Sequence, residues 1–281
     1  IMQRTLGTSG AESLSAASNI FVGQTEAPLL IKPFLASMTL SEIMAVMVGG
    51  FATVAGGVMA AYISFGVEAK HLLTASVISA PAALLIAKIM QPEVDQPKTL
   101  GRVEMNAETE ATNLIEAAAI GAADGMKLAI NVAAMLIAFI ALVAMCDFLL
   151  LKFGSLFGQQ WELKTLFGYA FAPFAWLIGI ENKDCLEVGK LLGTRTAINE
   201  FVAYIDLGNV AREGLISERS KTLATYALCG FANFSSIGIQ IGGIGALVPE
   251  RQPDLARLGL RAMIGGTLAC FMTACVAGML I

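Results

Sequence analysis

Nine polar side chains interrupt apolar stretches of this sequence, in four groups along the chain. They are Asn19, Gln24, Thr25, Glu26, Thr53, Glu200, Asn233, Ser235 and Ser236. Carboxylates inside apolar segments are costly and usually mark the path of a substrate or an ion. Because two acids in one cavity would repel an anion, Glu26 and Glu200 suit a neutral polyol or an amide-bearing ring that donates hydrogen bonds. Composition alone leaves open that both acids lie at a surface.

The composition indicates that a lipid bilayer surrounds these groups. Of the 281 residues, 56% are hydrophobic and 14% are charged, and the mean hydropathy is +0.72. Soluble domains carry about a quarter charged residues. Residues 43–67 and 262–281 contain no charge, and residues 128–145 have one polar interruption, Asn131. Each run can cross about 30 Å of hydrocarbon as a helix, which disfavours a large soluble helical bundle. The net charge of −4, without a basic stripe, argues against a nucleic acid polymer as partner.

The first polar group lies between two apolar segments that are each too short to cross a bilayer. The segments are residues 11–21 and 27–37, on either side of Gly23-Gln24-Thr25-Glu26. About eleven residues of helix span about 16 Å, which is half of the hydrocarbon layer. This arrangement predicts a re-entrant helical hairpin with a polar tip. A surface loop with two amphipathic helices is the alternative.

A second hairpin is predicted over residues 184–210. Its first segment ends at Leu192, and its polar tip is Gly193-Thr194-Arg195-Thr196. Its second segment, residues 198–207, carries Asn199 and Glu200. Glu26 and Glu200 therefore hold equivalent places in the two hairpins.

Each hairpin is followed by a long apolar run that is interrupted near its middle. The first contains Gly50-Phe51-Ala52-Thr53 before Gly56-Gly57, and the second contains Gly230-Phe231-Ala232-Asn233 before Gly238. Uninterrupted runs near residues 71–90 and 255–281 close the two units. Backbone groups that a helix break frees in lipid must line a cavity or bind something. Paired breaks in two halves therefore indicate the binding site of a transporter.

These patterns predict an all-α integral membrane fold with two repeats of re-entrant hairpin, broken span and continuous span. The first repeat covers residues 1–90 and the second covers residues 184–281. Between them, residues 91–183 supply a solvated connection at 91–110, an interfacial segment at 112–123 and scaffold spans within the run 112–153. An odd number of crossings between the repeats inverts one repeat relative to the other.

Four stretches resemble the signatures of the concentrative nucleoside transporters. They are SNIFVGQTEAPLLIKPFL at 18–35, GGFATVAGGVMAAYIS at 49–64, NEFVAY at 199–204 and TYALCGFANFSSIGIQIGG at 225–243. The resemblance covers essentially the whole chain, in the family's order and spacing. Because family members carry further N-terminal spans and this sequence begins at Ile1 without a methionine, we expect an N-terminal portion to precede it.

The resemblance implies which residues contact the nucleoside. In the family the tip of the first hairpin binds the nucleobase, and the corresponding residues are Gln24, Thr25 and Glu26, with Val58 packing on the base. The second repeat holds the ribose hydroxyls, and the corresponding residues are Glu200, Asn233 and Ser236, with Phe231 alongside. Gly23 is compatible with purine as well as pyrimidine nucleosides.

The resemblance also implies a sodium site between the first hairpin tip and the unwound span. Its oxygen ligands correspond to the side chains of Asn19 and Thr53 and the backbone carbonyls of Val22 and Val54. Thr53 keeps the hydroxyl of the serine that is also common there. Proton-coupled relatives lack the asparagine that matches Asn19, so its presence favours sodium.

The sequence thus predicts a sodium-coupled nucleoside symporter that works by alternating access, without catalytic residues and without a cofactor other than the coupling ion. By the resemblance it is a homotrimer and a multi-pass protein of the cell membrane, the inner membrane in a bacterium. An ion-coupled symporter of a nucleobase, amino acid or dicarboxylate is the alternative, but a dicarboxylate site would place cations at both tips, where only Arg195 qualifies. An intramembrane enzyme would need paired catalytic groups, and Asp124 and Asp147 stand apart.

Overall fold

Helices are the only regular structure that the computed structural model shows in the residues it describes, which are 2–101, 113–159 and 161–281. The hairpin region of the first repeat contains α1 (Met2–Leu6), α2 (Gly10–Ser18), α3 (Glu26–Leu30) and α4 (Lys32–Leu35). The spans that follow are α5 (Leu40–Phe51), α6 (Gly56–Ser64) and α7 (Ala69–Met90). The fold is therefore all-α in the described part of the chain, as predicted.

The second half of the chain repeats this order of elements after two intervening helices. The intervening helices are α8 (Leu114–Ser155) and α9 (Leu163–Ile178). The elements of the second repeat are α10 (Cys185–Ala197), α11 (Glu200–Arg212), α12 (Glu218–Leu228), α13 (Phe234–Leu247), a 3-10 turn (Pro249–Arg251) and α14 (Gln252–Gly278).

Four helical stretches of the described residues are long and apolar enough to cross a bilayer. They are Leu40–Ser64, Ala69–Met90, Ile137–Ser155 and Pro249–Gly278. The predicted continuous spans near 71–90 and 255–281 are confirmed as helices. The helix α8 has 42 residues, or about 63 Å, roughly twice the hydrocarbon thickness. Residues 114–123 of the expected interfacial segment belong to this helix, whereas Thr112 lies outside the described residues.

Both predicted breaks interrupt their spans. The helix α5 ends at Phe51 and α6 begins at Gly56, after Ala55 turns extended (φ −70°, ψ 139°) without a side-chain cap. The helix α12 ends at Leu228 and α13 begins after Asn233, whose side chain accepts a hydrogen bond from the Ser236 amide. An asparagine cap of this kind satisfies one of the orphan donors at a helix start.

The two breaks pack directly against each other. The Phe231 amide donates to the Thr53 carbonyl at 3.2 Å. A Cβ atom on Gly230 would lie 2.6 Å from the Phe51 carbonyl oxygen and 2.6 Å from Cys270 Sγ. Since only glycine permits this approach, Gly230 lets the unwound segments of the two repeats meet inside the protein.

The predicted tip of the second hairpin was placed too early in the chain. Residues 193–196 lie inside α10, and the turn is at Ile198 and Asn199, where Asn199 Oδ1 caps α11 by accepting from the Val202 amide. Gly193 lies within α10 and does not end it. Its missing side chain instead allows α10 to approach α9 closely. A Cβ atom there would lie 2.5 Å from the Lys164 carbonyl oxygen.

The connection after α7 is mostly exposed over residues 91–101, as predicted, but is anchored at a buried threonine. Thr99 is buried, and its carbonyl and hydroxyl oxygens accept hydrogen bonds from the amides of Gly10 and Ala11 at the start of α2. Glu93 forms an ion pair with Lys88 at 3.2 Å. The Thr99 bonds attach the connection to the first hairpin, and the Glu93 ion pair attaches it to α7. The rest of the predicted solvated stretch, from residue 102 to 110, lies outside the described residues.

The core consists of two clusters that each draw on both repeats. The first combines α2, α5 and α7 with residues of α13 and α14. The second combines α6 and α7 with α10, α11, α12 and α14. The repeats are therefore packed into each other. The helix α8 packs on α13, where Phe139 occupies the space beside Gly238, and is otherwise largely exposed.

Candidate substrate and cation site

A chain of hydrogen bonds joins the first hairpin to the second repeat. Gln24 Nε2 donates to Ser236 Oγ at 3.2 Å, and the Ser236 amide donates to Asn233 Oδ1 at 2.8 Å. Asn233 Nδ2 donates to Glu200 Oε2 at 3.1 Å, and the Tyr62 hydroxyl donates to Glu200 Oε1 at 3.2 Å. The structure thus brings Gln24 of the first half of the chain together with Glu200, Asn233 and Ser236 of the second half.

Glu200 is held in place with hydrogen-bonding capacity left over. It is the first residue of α11 and 6% exposed. A carboxylate at a helix N-terminus is stabilised by the helix dipole. Each of its oxygens accepts one hydrogen bond within the protein, while a carboxylate offers about four acceptor positions. Glu200 can therefore accept hydrogen bonds from hydroxyls of a bound molecule without losing its fixed orientation.

Thr25 and Glu26 form the more open side of the first hairpin tip. Glu26 is exposed, and its Oε2 accepts a hydrogen bond from the Thr25 hydroxyl at 3.1 Å. A side chain at Gly23 would clash with the same Glu26 oxygen. No Lys or Arg of the described residues pairs with Glu26, so its carboxylate is free to accept hydrogen bonds from a ligand.

Two apolar side chains border the polar network. Val58 on α6 and Phe231 in the second break are both partly buried, and both pack against the second core cluster. Apolar walls with a few polar groups between them are typical of sites for small molecules. The pair can therefore supply packing surface for a planar ring.

Asn19 is the strongest indication of a cation site. Its side chain is 1% exposed, yet neither Oδ1 nor Nδ2 has a hydrogen-bond partner among the described residues. The amide lies against α5, where a Cβ atom on Gly49 would be 3.1 Å from Asn19 Nδ2. The buried Thr53 hydroxyl donates to the Gly49 carbonyl at 2.9 Å, so Asn19 and Thr53 approach the same turn of α5.

The hairpin turn and the first break are joined beside Asn19. The Gly56 amide donates to the Phe21 carbonyl at 3.0 Å, and a Cβ atom on Gly56 would lie 2.8 Å from that oxygen. Val22 follows Phe21 directly, and the buried Val54 lies two residues before Gly56. The unpartnered Asn19 amide and the Thr53 hydroxyl are therefore neutral oxygen groups close to an unwound helix, and groups of this type coordinate sodium in transporters.

Two residues of the network were missed by the sequence analysis. Tyr62 donates to Glu200, and the buried Gln240 donates from Nε2 to Gln24 Oε1 and to the Met47 carbonyl, both at 3.1 Å. A signal for Gln240 was available, since it is the one glutamine in the apolar helix α13. Ser235, which was also a candidate from the sequence, donates to Asn233 Oδ1 at 2.7 Å and so helps to orient the Asn233 side chain.

Comparison with known families and proteins agrees with this architecture. A family described as "Na+ dependent nucleoside transporter C-terminus" matches residues 71–278, and a domain described as "Nucleoside recognition" matches residues 1–69. Solute carrier family 28 member 3 of Rattus norvegicus is 49% identical over all of this chain and 42% of its own length. Sodium/nucleoside cotransporter 1 of Mus musculus is 46% identical over all of this chain and 46% of its own length. An uncharacterized transporter of Haemophilus influenzae is 48% identical over all of this chain and 68% of its own.

Solved structures of a transporter named CNTnw share the fold. A doubly substituted variant in an outward-facing state superposes with a TM-score of 0.90 at 42% identity, over 99% of this chain and 67% of that one. An inward-facing substrate-bound state gives a TM-score of 0.81 at 43% identity, over 99% of this chain and 66% of that one. The chain spans less than half the length of the mammalian relatives. With both models and relatives matching along its whole length, the chain belongs to the sodium-dependent nucleoside transporter family.

Proposed function

We propose that this chain carries sodium and a nucleoside together across a membrane by alternating access. The observation that carries the proposal is the pairing of the unpartnered Asn19 amide with the Gln24–Glu200 hydrogen-bond network in one folded unit. The relatives that are named sodium/nucleoside cotransporters, and the neighbouring structures in several access states, support it.

In the proposed complex the nucleobase lies against the first hairpin tip. Gln24, Thr25 and Glu26 supply donors and acceptors to its edge, and Val58 packs on its face. The ribose lies toward the second repeat, where Glu200, Asn233 and Ser236 receive its hydroxyls beside Phe231. Hydrogen bonds from hydroxyls to a carboxylate are charge-assisted and strong, so Glu200 is the main anchor of the sugar.

Sodium is cotransported cargo in this proposal. Asn19 and Thr53 side chains and the Val22 and Val54 carbonyls hold it between the hairpin turn and the first break. Gln24 lies five residues after Asn19 in the same turn, so an ion that orders the turn also fixes the side chain that meets the base. Coupling of this kind is reciprocal, because each ligand raises the affinity for the other.

The direction of transport follows from the energy of the ion. One sodium that moves down a potential of 100 mV releases about 2.3 kcal/mol, enough for about fiftyfold accumulation of a neutral solute. The two repeats, residues 1–90 and 184–281, carry the site in this proposal, and scaffold elements within 91–183 stay in place while it moves.

We also propose a homotrimer with α8 among its scaffold elements. Only 6% of the apolar stretch Ile137–Ser155 is buried within the chain, so lipid or other protein must cover it. The resemblance to the family favours other copies of the chain for part of that surface. Chemical cross-linking in native membranes that yields dimers and no trimers would contradict this assembly.

Uptake by the purified full-length protein tests the proposed function. In proteoliposomes, an inward sodium gradient should drive accumulation of labelled uridine or adenosine, and replacement of sodium by choline should abolish it. Free ribose and uracil should be poor competitors. Uptake of uracil at the rate of uridine would show that the protein carries nucleobases. Unchanged uptake without sodium or a pH gradient would show that transport is not coupled to an ion.

A further inference from the structure

The largest completely buried side chain of the described residues is a charged one, Arg195 in α10. Its Nη1 donates to the Ala227 carbonyl at 2.7 Å, and its Nη2 donates to Thr267 Oγ1 at 3.1 Å. The guanidinium carbon lies 5.6 Å from the centre of the Phe271 ring. No carboxylate of the described residues forms an ion pair with it, and Nε has no partner there. An arginine stays charged even when buried, so the fold keeps an unpaired cation at this point.

The cation lies at the end of a broken helix. The helix α12 ends at Leu228, so the carbonyl of Ala227 is among the four that a helix leaves without an internal partner. The C-terminal end of a helix also carries a partial negative charge. In transporters, such half-helix ends coordinate sodium or protons. Here the protein supplies the positive charge from its own side chain.

The first break differs at the matched position. Met47 precedes Gly50 by three residues, as Ala227 precedes Gly230. The Met47 carbonyl accepts from the neutral Gln240 amide at 3.1 Å, whereas the Ala227 carbonyl accepts from a guanidinium. Among the described residues no Lys or Arg donates to the first break, and the unpartnered Asn19 lies there. A mobile ion can therefore supply positive charge at the first break alone.

We propose that Arg195 is a fixed cation that takes, at the second break, the place that sodium takes at the first. It is a positioning residue, since it donates to the Ala227 carbonyl at the end of α12, and it lies five residues before Glu200, on the other side of the hairpin turn. Because Arg195 already supplies the positive charge at the second break, nucleoside binding needs one sodium at the two breaks, bound at the first. The inference rests on the proposed sodium coupling.

Removal of the charge should therefore create a need for a second ion. Without the guanidinium, the Ala227 carbonyl and the Thr267 hydroxyl lose the donor that they share, and hard cations prefer such oxygen ligands. In Arg195→Gln, which keeps a planar donor but no charge, uridine affinity at low sodium should fall about tenfold. High sodium should restore it, and the Hill slope of the sodium dependence should rise from about one toward about two. Arg195→Lys keeps the charge and should show the wild-type slope.

The experiment measures binding of labelled uridine to the purified full-length protein over a sodium series. The matched control is Lys190→Gln, which removes a half-exposed charge on the same helix that pairs with Glu187 at 2.6 Å, and it should behave as wild type. An unchanged slope in Arg195→Gln, or an equal change in Arg195→Lys, would overturn the inference. If Arg195→Gln does not fold, Arg195→Lys and Thr267→Val decide, since both keep the cation and must keep the wild-type slope. Sodium-independent binding by the wild type would instead refute the proposed function, and that result appears before any variant is compared.

Discussion

The two helix breaks share the sequence Gly-Phe-Ala but satisfy their polar groups in opposite ways. At the second break, Asn233 caps α13 and donates to Glu200, and Arg195 donates to the end of α12. At the first break, α6 begins without a side-chain cap, and both amide atoms of Asn19 lack a partner among the residues that the structure describes. At the second break, protein side chains thus satisfy the helix start and the Ala227 carbonyl, whereas the first break leaves the Asn19 amide for a ligand to satisfy.

This contrast between the breaks indicates how a fold with two similar halves could gain a site for a mobile ion. A buried polar group without a partner costs about 1–3 kcal/mol. When such groups are collected at one break, an ion that satisfies them recovers that cost on binding. The second break, where Arg195 Nε is the unpartnered side-chain atom among the described residues, has the smaller deficit, and we expect it to change less than the first.

The largest effect should come from separating the breaks. Gly230→Ala places a Cβ atom 2.6 Å from the Phe51 carbonyl oxygen, so the unwound segments must move apart. Overpacking of this kind costs about 1–3 kcal/mol or more, and we expect loss of both monodisperse protein and uptake. Gly57→Ala is the control, because nothing lies within 4 Å of a Cβ atom there. A stable, active Gly230→Ala would show that the crossing of the breaks is dispensable.

The second break should also anchor the sugar. Glu200→Gln removes a charged acceptor, so affinity for uridine should fall about ten- to a hundredfold, or about 1.5–3 kcal/mol. Against 3′-deoxyuridine the same substitution should cost much less, because the hydroxyl partner is already absent. Four affinities, from two proteins and two ligands, measure the coupling. Additive losses would move Glu200 out of the sugar site and remove the second break from substrate recognition.

Much of this comparison could be predicted from sequence, because both breaks place glycine and polar residues inside apolar runs. The positions of both interruptions follow from that pattern, whereas the grouping of Gln24 with Glu200, Asn233 and Ser236 is what the resemblance to the family implied. Local composition failed at the second hairpin, where Gly193 resembles a helix breaker. Its small size serves contact with α9, which no local pattern reveals.

The roles of single polar residues were harder to predict. Tyr62 and Gln240 each lie alone among apolar neighbours in the sequence, whereas Arg195 belongs to a polar stretch, and the partners of all three are distant in the chain. Tyr62 meets Glu200 across 138 positions, and Gln240 meets Gln24 across 216. Such long-range pairs depend on how the two repeats pack into each other, which helical periodicity does not specify.

A matched pair of asparagines sharpens the contrast between the breaks. Asn19→Ala removes an unsatisfied amide, so thermal stability without sodium should be unchanged or higher, while the half-saturating sodium concentration should rise about tenfold or more. Asn233→Ala removes a helix cap and should cost about 1 kcal/mol of stability with or without sodium. Thermal unfolding across a sodium series measures both effects. Ser18→Ala, next to Asn19 but exposed, is the control.

Equal stability losses in the two asparagine variants, or an unshifted sodium curve in Asn19→Ala, would contradict the assignment of the ion to the first break. Thr53→Ala should raise the sodium requirement in the same direction, because it removes one oxygen ligand. Thr53→Ser keeps the hydroxyl and should bind sodium as the wild type does.

The smallest effect should come from the one side chain that the first broken span contributes to the sugar anchor. Tyr62 donates to Glu200 and stacks on Tyr204, with ring centres 4.3 Å apart. Tyr62→Phe keeps the stacking and removes the donor, and Asn233 still holds the carboxylate, so uridine affinity should fall only about two- to tenfold. The sodium curve should not shift. Tyr204→Phe is the control, since its hydroxyl donates to the Thr225 carbonyl and its loss should lower stability without lowering affinity. An unchanged uridine affinity in Tyr62→Phe would mean that the second repeat orients Glu200 alone, and that the two breaks meet through their backbones without sharing the substrate.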